Sequence, residues 1–320
     1  MVDDENGLEH IDETLCRLSE VRYNYTWITP INLEEEFIAF TTRNGAYDPQ
    51  FRYRDINVKE HLKELESLKI PDSSRLGNLF GKIRQHFLIE AKALDNIGGD
   101  PFDTTPLFGE GDDELVKEAK RILAEPLPET PEPEKPISSQ ELGRRLKEAL
   151  DSYGLPDWNI EYNPGFLANV SISSGTRTIR IKDNMYFTEH RVKKLICHEI
   201  GTHVLRAENG FSQKYGILAH GLPHYLPTEE GLAGYNERLM GIEDPKILRN
   251  YALRTLATSV ATNHGFRDVY EAVRPFVDED REAFMIAARV KRGLGDTSKP
   301  GGYLKDHSYL QGKLLTRDNI

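Results

Sequence analysis

The stretch Thr188-Glu-His-Arg-Val-Lys-Lys-Leu-Ile-Cys-His198-Glu199-Ile-Gly201-Thr-His203-Val-Leu-Arg-Ala-Glu-Asn-Gly210 decides how the chain is read. Its apolar positions Val192, Leu195, Ile196, Ile200, Val204 and Leu205 recur at helical spacing and predict one helix with a buried side. Thr188 offers an N-cap, Phe187 a hydrophobic staple against Val192, and Asn209-Gly210 a left-handed stop. Onto this half-buried helix the chain places His198, Glu199 and His203. Two imidazoles and a carboxylate there are costly unless something satisfies them. One zinc ion does so, and leaves Glu199 free to act as a base on an activated water. The familiar form of this motif spaces its histidines four apart, on one face. Here the interval is five. On an ideal α-helix two such side chains point about 140° apart and share no ligand. A π-bulge within the interval brings them together, and Gly201 eases the distortion. The spacing therefore has two readings, an ordinary helix with two unrelated histidines or a bulged helix that holds a metal.

The 320 residues suffice for one large domain or two small ones with a real core. A formal charge of −11 gives no global support to a nucleic-acid or anionic-membrane partner. Two cysteines far apart, Cys16 and Cys197, argue against a disulfide scaffold and for a reducing compartment. The acidic start and the lack of a long apolar run predict no signal peptide and no membrane span, hence a cytoplasmic protein.

Outward from the motif, Val170–Ser173 and 177–181 alternate strictly around Ser174-Gly175-Thr176 and predict a β-hairpin directly before the metal-motif helix. A strand edge there could pair with an extended peptide, or the hairpin could simply cover the core. Trp158 to Tyr162 reads as a further strand. Ser138-x-x-Glu141 opens a helix running to about Tyr153. Upstream, Glu125-Pro-Leu-Pro-Glu-Thr-Pro-Glu-Pro-Glu-Lys-Pro136 reads as an extended linker. Residues 1–29 form an N-terminal tail, 30–124 a helical region packing on the core, 125–137 the linker and 138–320 the core that carries the motif. The tail holds a short helix at 8–18 and an extended segment with Tyr23 and Tyr25. Helices are expected at 32–42 (capped by Asn32), 58–68, 74–94 and 113–123. The aromatic and arginine-dense loop 45–54 is either anchored on the core or a wall of the site. His86 reads as a satisfied or surface histidine. After the motif come a loop with His220 and His224, a helix capped by Thr228, helices at 245–262, 266–276 and 278–292, and a glycine-rich tail from Gly293.

A catalytic zinc takes three protein ligands and keeps an open position. His220, His224, Glu229 and Glu230 are the downstream candidates for the third. A glutamate is favoured, because Glu229-Glu230-Gly231 opens a helix whose Gly231 and Gly234 permit close packing on the motif helix.

His198-Glu-Ile-Gly-Thr-His203 followed by Thr228-Glu-Glu-Gly-Leu-Ala233 resembles the metallopeptidase family of the microtubule-associated tyrosine carboxypeptidase, with bacterial relatives that carry a Gln-Glu-Gly-Leu-Ala motif. Weaker matches reach from Asp48-Pro-Gln-Phe-Arg-Tyr53 to Arg292-Gly and Lys305-Asp-x-x-Tyr309-Leu-x-Gly312. In the family the five-residue histidine interval is the rule. The resemblance implies His198, His203 and Glu230 as ligands of one zinc ion and Glu199 as the base. Glu229 stands where the bacterial motif has Gln, so the choice between the two glutamates stays open. It also implies an α+β fold with a mostly helical, zincin-like core of the gluzincin type, a small antiparallel sheet beside the metal helix and an N-terminal helical region. The activity implied is removal of a C-terminal Tyr or Phe from a peptide or protein. Arg292 and Lys305 are the candidates for binding the substrate's terminal carboxylate. Tyr309 is a further substrate-binding candidate, and Tyr303, Tyr309 and His190 are candidate oxyanion donors. Two other readings share these residues: a zinc endo- or aminopeptidase, and a zinc-stabilised regulatory protein without hydrolysis.

Overall fold

The stretch quoted above folds as one continuous helix in three pieces. Glu189–Leu195 is α-helical, Ile196–Val204 π-helical and Leu205–Phe211 α-helical again, in a computed structural model that describes residues 5–19, 27–72, 74–127, 136–163 and 169–319. The Thr188 hydroxyl caps the start, accepting the Arg191 N–H at 3.1 Å. At the end of the π segment the Leu205 N–H donates to the Ile200 carbonyl, five residues back. That is the wider turn the histidine interval needs. The expected stop at Asn209-Gly210 is not used. The helix runs on to Phe211, and Ser212 ends it in right-handed backbone. Gly210 serves space instead, since a Cβ there would lie 2.4 Å from Ala219 Cα. Gly201 serves no such need. A Cβ on it would meet only the Ile196 carbonyl, at 3.9 Å.

Val192, Leu195, Ile200, Val204 and Ala207 of this helix share a core cluster with Leu142, Leu146 and Leu150 of the helix Ser139–Ser152 and with Ile179 and Ile181 of the strand Thr178–Lys182. Ala207 takes an inward position and Leu205 is left half-buried, because the π turn changes the phase of the helix downstream. The sheet is mixed, where an antiparallel one was expected. Thr178–Lys182 lies between Asn159–Asn163 and Val170–Ser173. The hairpin pairs antiparallel, but Asn159–Asn163 pairs with the central strand in parallel. The two outer strands run in opposite directions, so a strand inserted between them must be parallel to one. Val170–Ser173 is thereby an edge strand. A short antiparallel pair, Ile137–Ser138 with Tyr186–Phe187, ties together the starts of the two helices packed on this sheet.

Before the proline stretch the longer helices are Glu5–Leu18, Leu33–Thr42, Lys59–Ser67, Arg75–Asp95 and Asp113–Ala124. Ser74 and Asp112 cap the last two through their side chains. Asn32 does not cap its helix. Its amide instead donates to the Gln50 carbonyl and accepts the Arg52 N–H, which binds the 45–54 loop to the body. Phe51 is buried, and the Tyr53 hydroxyl donates to the Leu294 carbonyl at 2.9 Å. The loop aromatics are therefore core anchors. Phe40, Phe51 and Leu115 share one cluster with Leu256, Phe266 and Phe284, so residues on both sides of the proline stretch build a common core. The centre of that stretch, 128–135, and the segment with Tyr23 and Tyr25 lie outside the described residues.

After the motif helix come Leu226–Leu239, Pro245–Asn263, Phe266–Val273, Asp280–Lys291 and a final helix, His307–Asn319. The last lies in the stretch read only as a glycine-rich tail. Gly312 in its middle reads as a breaker but marks a helix crossing. A Cβ on Gly312 would lie 2.2 Å from the Pro227 carbonyl, and one on Gly231 would lie 2.4 Å from the Gly312 carbonyl. Gly231 therefore packs on the final helix and not, as expected, on the motif helix, while Gly234 faces the Lys313 side chain. Thr228 lies inside its helix, with Tyr225 at the cap position. Among the described residues no helix is long and apolar enough to cross a membrane. The fold is α+β.

Candidate metal centre

The π-helix places the His198 and His203 rings side by side, with centroids 5.0 Å apart. The helix Leu226–Leu239 packs across them and brings in three buried glutamates, Glu229, Glu230 and Glu237. Glu230 Oε2 lies 3.5 Å from His198 Nε2 and 4.0 Å from His203 Nε2. One donor atom from each of these three residues lies within 4.8 Å of the other two. Neither histidine contact is a good hydrogen bond. Glu230 Oε2 is fully buried with no hydrogen-bond partner, an expensive state for a carboxylate oxygen.

The other nitrogen of each ring is occupied. His198 Nδ1 is 2.7 Å from Glu237 Oε1, and His203 Nδ1 is 2.8 Å from Glu229 Oε1. A neutral imidazole that donates its Nδ1–H to a carboxylate presents an unprotonated Nε2 to the opposite side. Both Nε2 atoms thus face the orphaned Glu230 oxygen. Bonds of about 2.0–2.1 Å to a tetrahedral zinc put ligand atoms about 3.3 Å apart. The donor triangle is already near that size, so the residues present fit such an ion. Glu229 and Glu230, left open by the sequence, are separated by these contacts: Glu229 reaches the far side of a ring, and Glu230 faces the shared point.

The electrostatics show how strongly the surroundings favour positive charge at this point. Burial works to raise the Glu237 carboxyl, but the His198 hydrogen bond and the Lys194 charge outweigh it and hold it down at about 2. Burial likewise disfavours charged imidazoles. The neighbouring carboxylates outweigh it, pushing His203 upward and His198 up to about 10 with only protein groups around them. A pocket this favourable to positive charge suits a cation.

The centre opens into a cleft of about 1290 Å3. Glu199, Lys305 and Tyr309 line it. Lys305 Nζ sits 5.9 Å from the Tyr309 ring centroid, and Tyr309 stacks on Tyr251 at 5.1 Å. Tyr303 also lines the cleft, whereas His190 and Arg292 do not. Arg292 is buried, its guanidinium 4.4 Å from the Tyr303 ring centroid, because the chain turns there into the loop that Tyr53 anchors. His220 and His224 line the cleft wall and are not part of the donor triangle. His220 Nδ1 bonds to Ser19 Oγ at 2.8 Å. His86 is buried in the same wall, 3.5 Å from Glu90. The edge strand Val170–Ser173 forms another wall.

A sequence profile of the family described as microtubule-associated tyrosine carboxypeptidase matches residues 38–320. The chain belongs to that family. It is 27% identical over 314 residues to the mouse protein named "Putative tyrosine carboxypeptidase MATCAP2", a match covering 97% of this chain and 52% of the relative. The human protein of the same name is 33% identical over 151 residues, covering 46% of this chain and 28% of the relative. Mouse "Microtubule-associated tyrosine carboxypeptidase 1" is 34% identical over 130 residues, covering 39% and 27%. The chain thus spans about half the length of the first of these relatives, and the shorter matches cover about a quarter of theirs.

Four residues that the structure places at or behind the centre were not singled out in the sequence. Glu237 lies seven positions after Glu230, two turns along the same face. Lys194 lies four before His198 and Arg206 three after His203, so each shares a face with its histidine. Those spacings were available as signals. Tyr251 had none, since its place beside Tyr309 comes from tertiary packing.

Proposed function

We propose that the chain is a zinc-dependent carboxypeptidase acting on the C-terminal residue of a peptide or protein, with His198, His203 and Glu230 as ligands and Glu199 as the base. One observation carries this reading: two anchored imidazoles aim their free nitrogens at a buried carboxylate oxygen that has no hydrogen-bond partner. A bound zinc ion supplies a Lewis acid that lowers the pKa of water towards 7 and polarises a carbonyl.

The chain's own groups do the rest. Glu199 takes a proton from the attacking water and passes it to the amine as the C–N bond breaks. The stacked Tyr251 and Tyr309 offer phenol hydroxyls to the oxyanion. Lys305, a cation on the cleft wall, suits the terminal carboxylate. Arg292 is a poorer candidate, being buried outside that wall. The free edge of Val170–Ser173 suits an extended substrate backbone, which would add to it as a strand. The names of the relatives favour a terminal tyrosine. The free thiols of Cys16 and Cys197 fit action in a reducing compartment.

The test uses peptides ending in Tyr with the C-terminus free or amidated, the N-terminus free or acetylated, and mass spectrometry of the products. Release of Tyr only from free C-termini, abolished by chelation and restored by zinc, is the expected result. Internal cleavage of doubly blocked peptides would make the protein an endopeptidase. Loss of activity on N-acetylation would make it an aminopeptidase. No cleavage by the zinc-loaded protein would favour a binding role.

A further inference from the structure

Each histidine of the centre is held by more than its carboxylate. Glu237 accepts from His198 Nδ1 with Oε1, and its Oε2 is ion-paired with Lys194 Nζ. Lysine and glutamate side chains are both only 3% exposed. Glu229 Oε1 accepts from His203 Nδ1 and also from Arg206 Nε at 3.0 Å. The same pattern therefore occurs twice, as cation, carboxylate, imidazole. The two cations flank the π-helix on the motif helix itself, and both carboxylates come from the helix Leu226–Leu239.

Burying an ion pair is a poor way to gain stability, because desolvation offsets most of the attraction. Lys194 and Glu237 are buried all the same, directly behind a ring whose orientation matters. A carboxylate with one oxygen tied to a fixed cation cannot rotate away from the imidazole it accepts from. That fixes which ring nitrogen carries the hydrogen and where the other one points.

We propose that Lys194 and Arg206 are positioning residues for the metal centre, each orienting one histidine through a buried carboxylate. This rests on the zinc reading given above. Arg206 has a second attachment. Its guanidinium donates to the buried Ala219 carbonyl and reaches Ser174 Oγ, on the cleft wall, at 3.5 Å. It therefore joins the orientation of His203 to the shape of the cleft.

The test measures zinc affinity with a competing chelating dye and the visible absorption bands of the cobalt-substituted protein, for wild type, Lys194→Met, Arg206→Met and the double variant Lys194→Met/Glu237→Gln. The double variant removes both members of the buried pair, so no lone charge is stranded if Lys194→Met alone fails to fold. The expected result is a 10–100-fold loss of zinc affinity in Lys194→Met and in the double variant, with altered cobalt bands, in proteins that melt like the apo wild type. Arg206→Met should lose zinc affinity and also raise KM. Variants that bind zinc as tightly as wild type, with unchanged cobalt bands, would overturn the proposal and leave the zinc reading standing. A wild type that takes up no zinc would overturn the zinc reading itself, and this proposal with it.

Discussion

Glu199 and Glu230 sit on neighbouring helices and carry different tasks in this account, so substitution should separate them. Glu199→Gln removes the base and leaves the donor triangle intact. It should retain zinc while turnover falls about 10²–10⁴-fold; metal analysis and peptide kinetics on one preparation check both. Two glycines make a second contrast. Gly210→Ala drives a methyl into Ala219 Cα at 2.4 Å, and should cost about 1–3 kcal/mol in chemical denaturation. Gly201→Ala makes only an ordinary contact with the Ile196 carbonyl at 3.9 Å and should be neutral or stabilising by up to about 1 kcal/mol with zinc retained. At this scale the sequence was legible where a residue type and an interval imply chemistry. His198, Glu199 and His203 could be named as candidates, and the third ligand candidate narrowed to Glu229 or Glu230. Lys305 and Arg292 could not be ranked, because both are basic and only packing shows that one lines the cleft and the other is buried.

Elements were legible wherever their periodicity was undisturbed. The hairpin and most of the helices fall within a few residues of their expected bounds. The π segment was inferred from a chemical demand, since two imidazoles five apart need it. The final helix was hidden by Gly312, and the direction of Asn159–Asn163 by the insertion of a later strand beside it. Nothing local to either segment records the partner that determines it. The helix Asp280–Lys291 carries a prediction of its own. Lys291 is fully buried, donates to the His264 carbonyl at 2.8 Å and to the Lys299 carbonyl, and burial lowers its pKa to about 8. Its folded pKa lies below the unfolded value, so the unfolded chain holds the proton better between the two. The resulting penalty is present below about pH 8 and relieved as pH rises towards 10.5. The stability of wild type relative to Lys291→Met should therefore increase by about 3 kcal/mol across that window, read by urea denaturation at each pH. A flat difference would count against it.

The whole molecule joins its two halves through a shared core and places the centre where two helices from the motif-bearing half face each other. Phe40, Phe51 and Leu115 pack with Phe266 and Phe284 across the proline stretch, a union that composition alone does not reveal. An ion held by His198, His203 and Glu230 would tie the motif helix to Leu226–Leu239, and so would stabilise the fold by mass action. At a hundredfold excess over its dissociation constant the gain is about 2.7 kcal/mol. Chelation should therefore lower the melting temperature by several degrees, with recovery on adding zinc. The most direct test of the central claim is anomalous diffraction at the zinc absorption edge from crystals of the zinc-loaded protein. The account predicts one peak about 2.0–2.2 Å from His198 Nε2, His203 Nε2 and a Glu230 oxygen. A peak coordinated elsewhere, or none at that point in a zinc-loaded crystal, would contradict it.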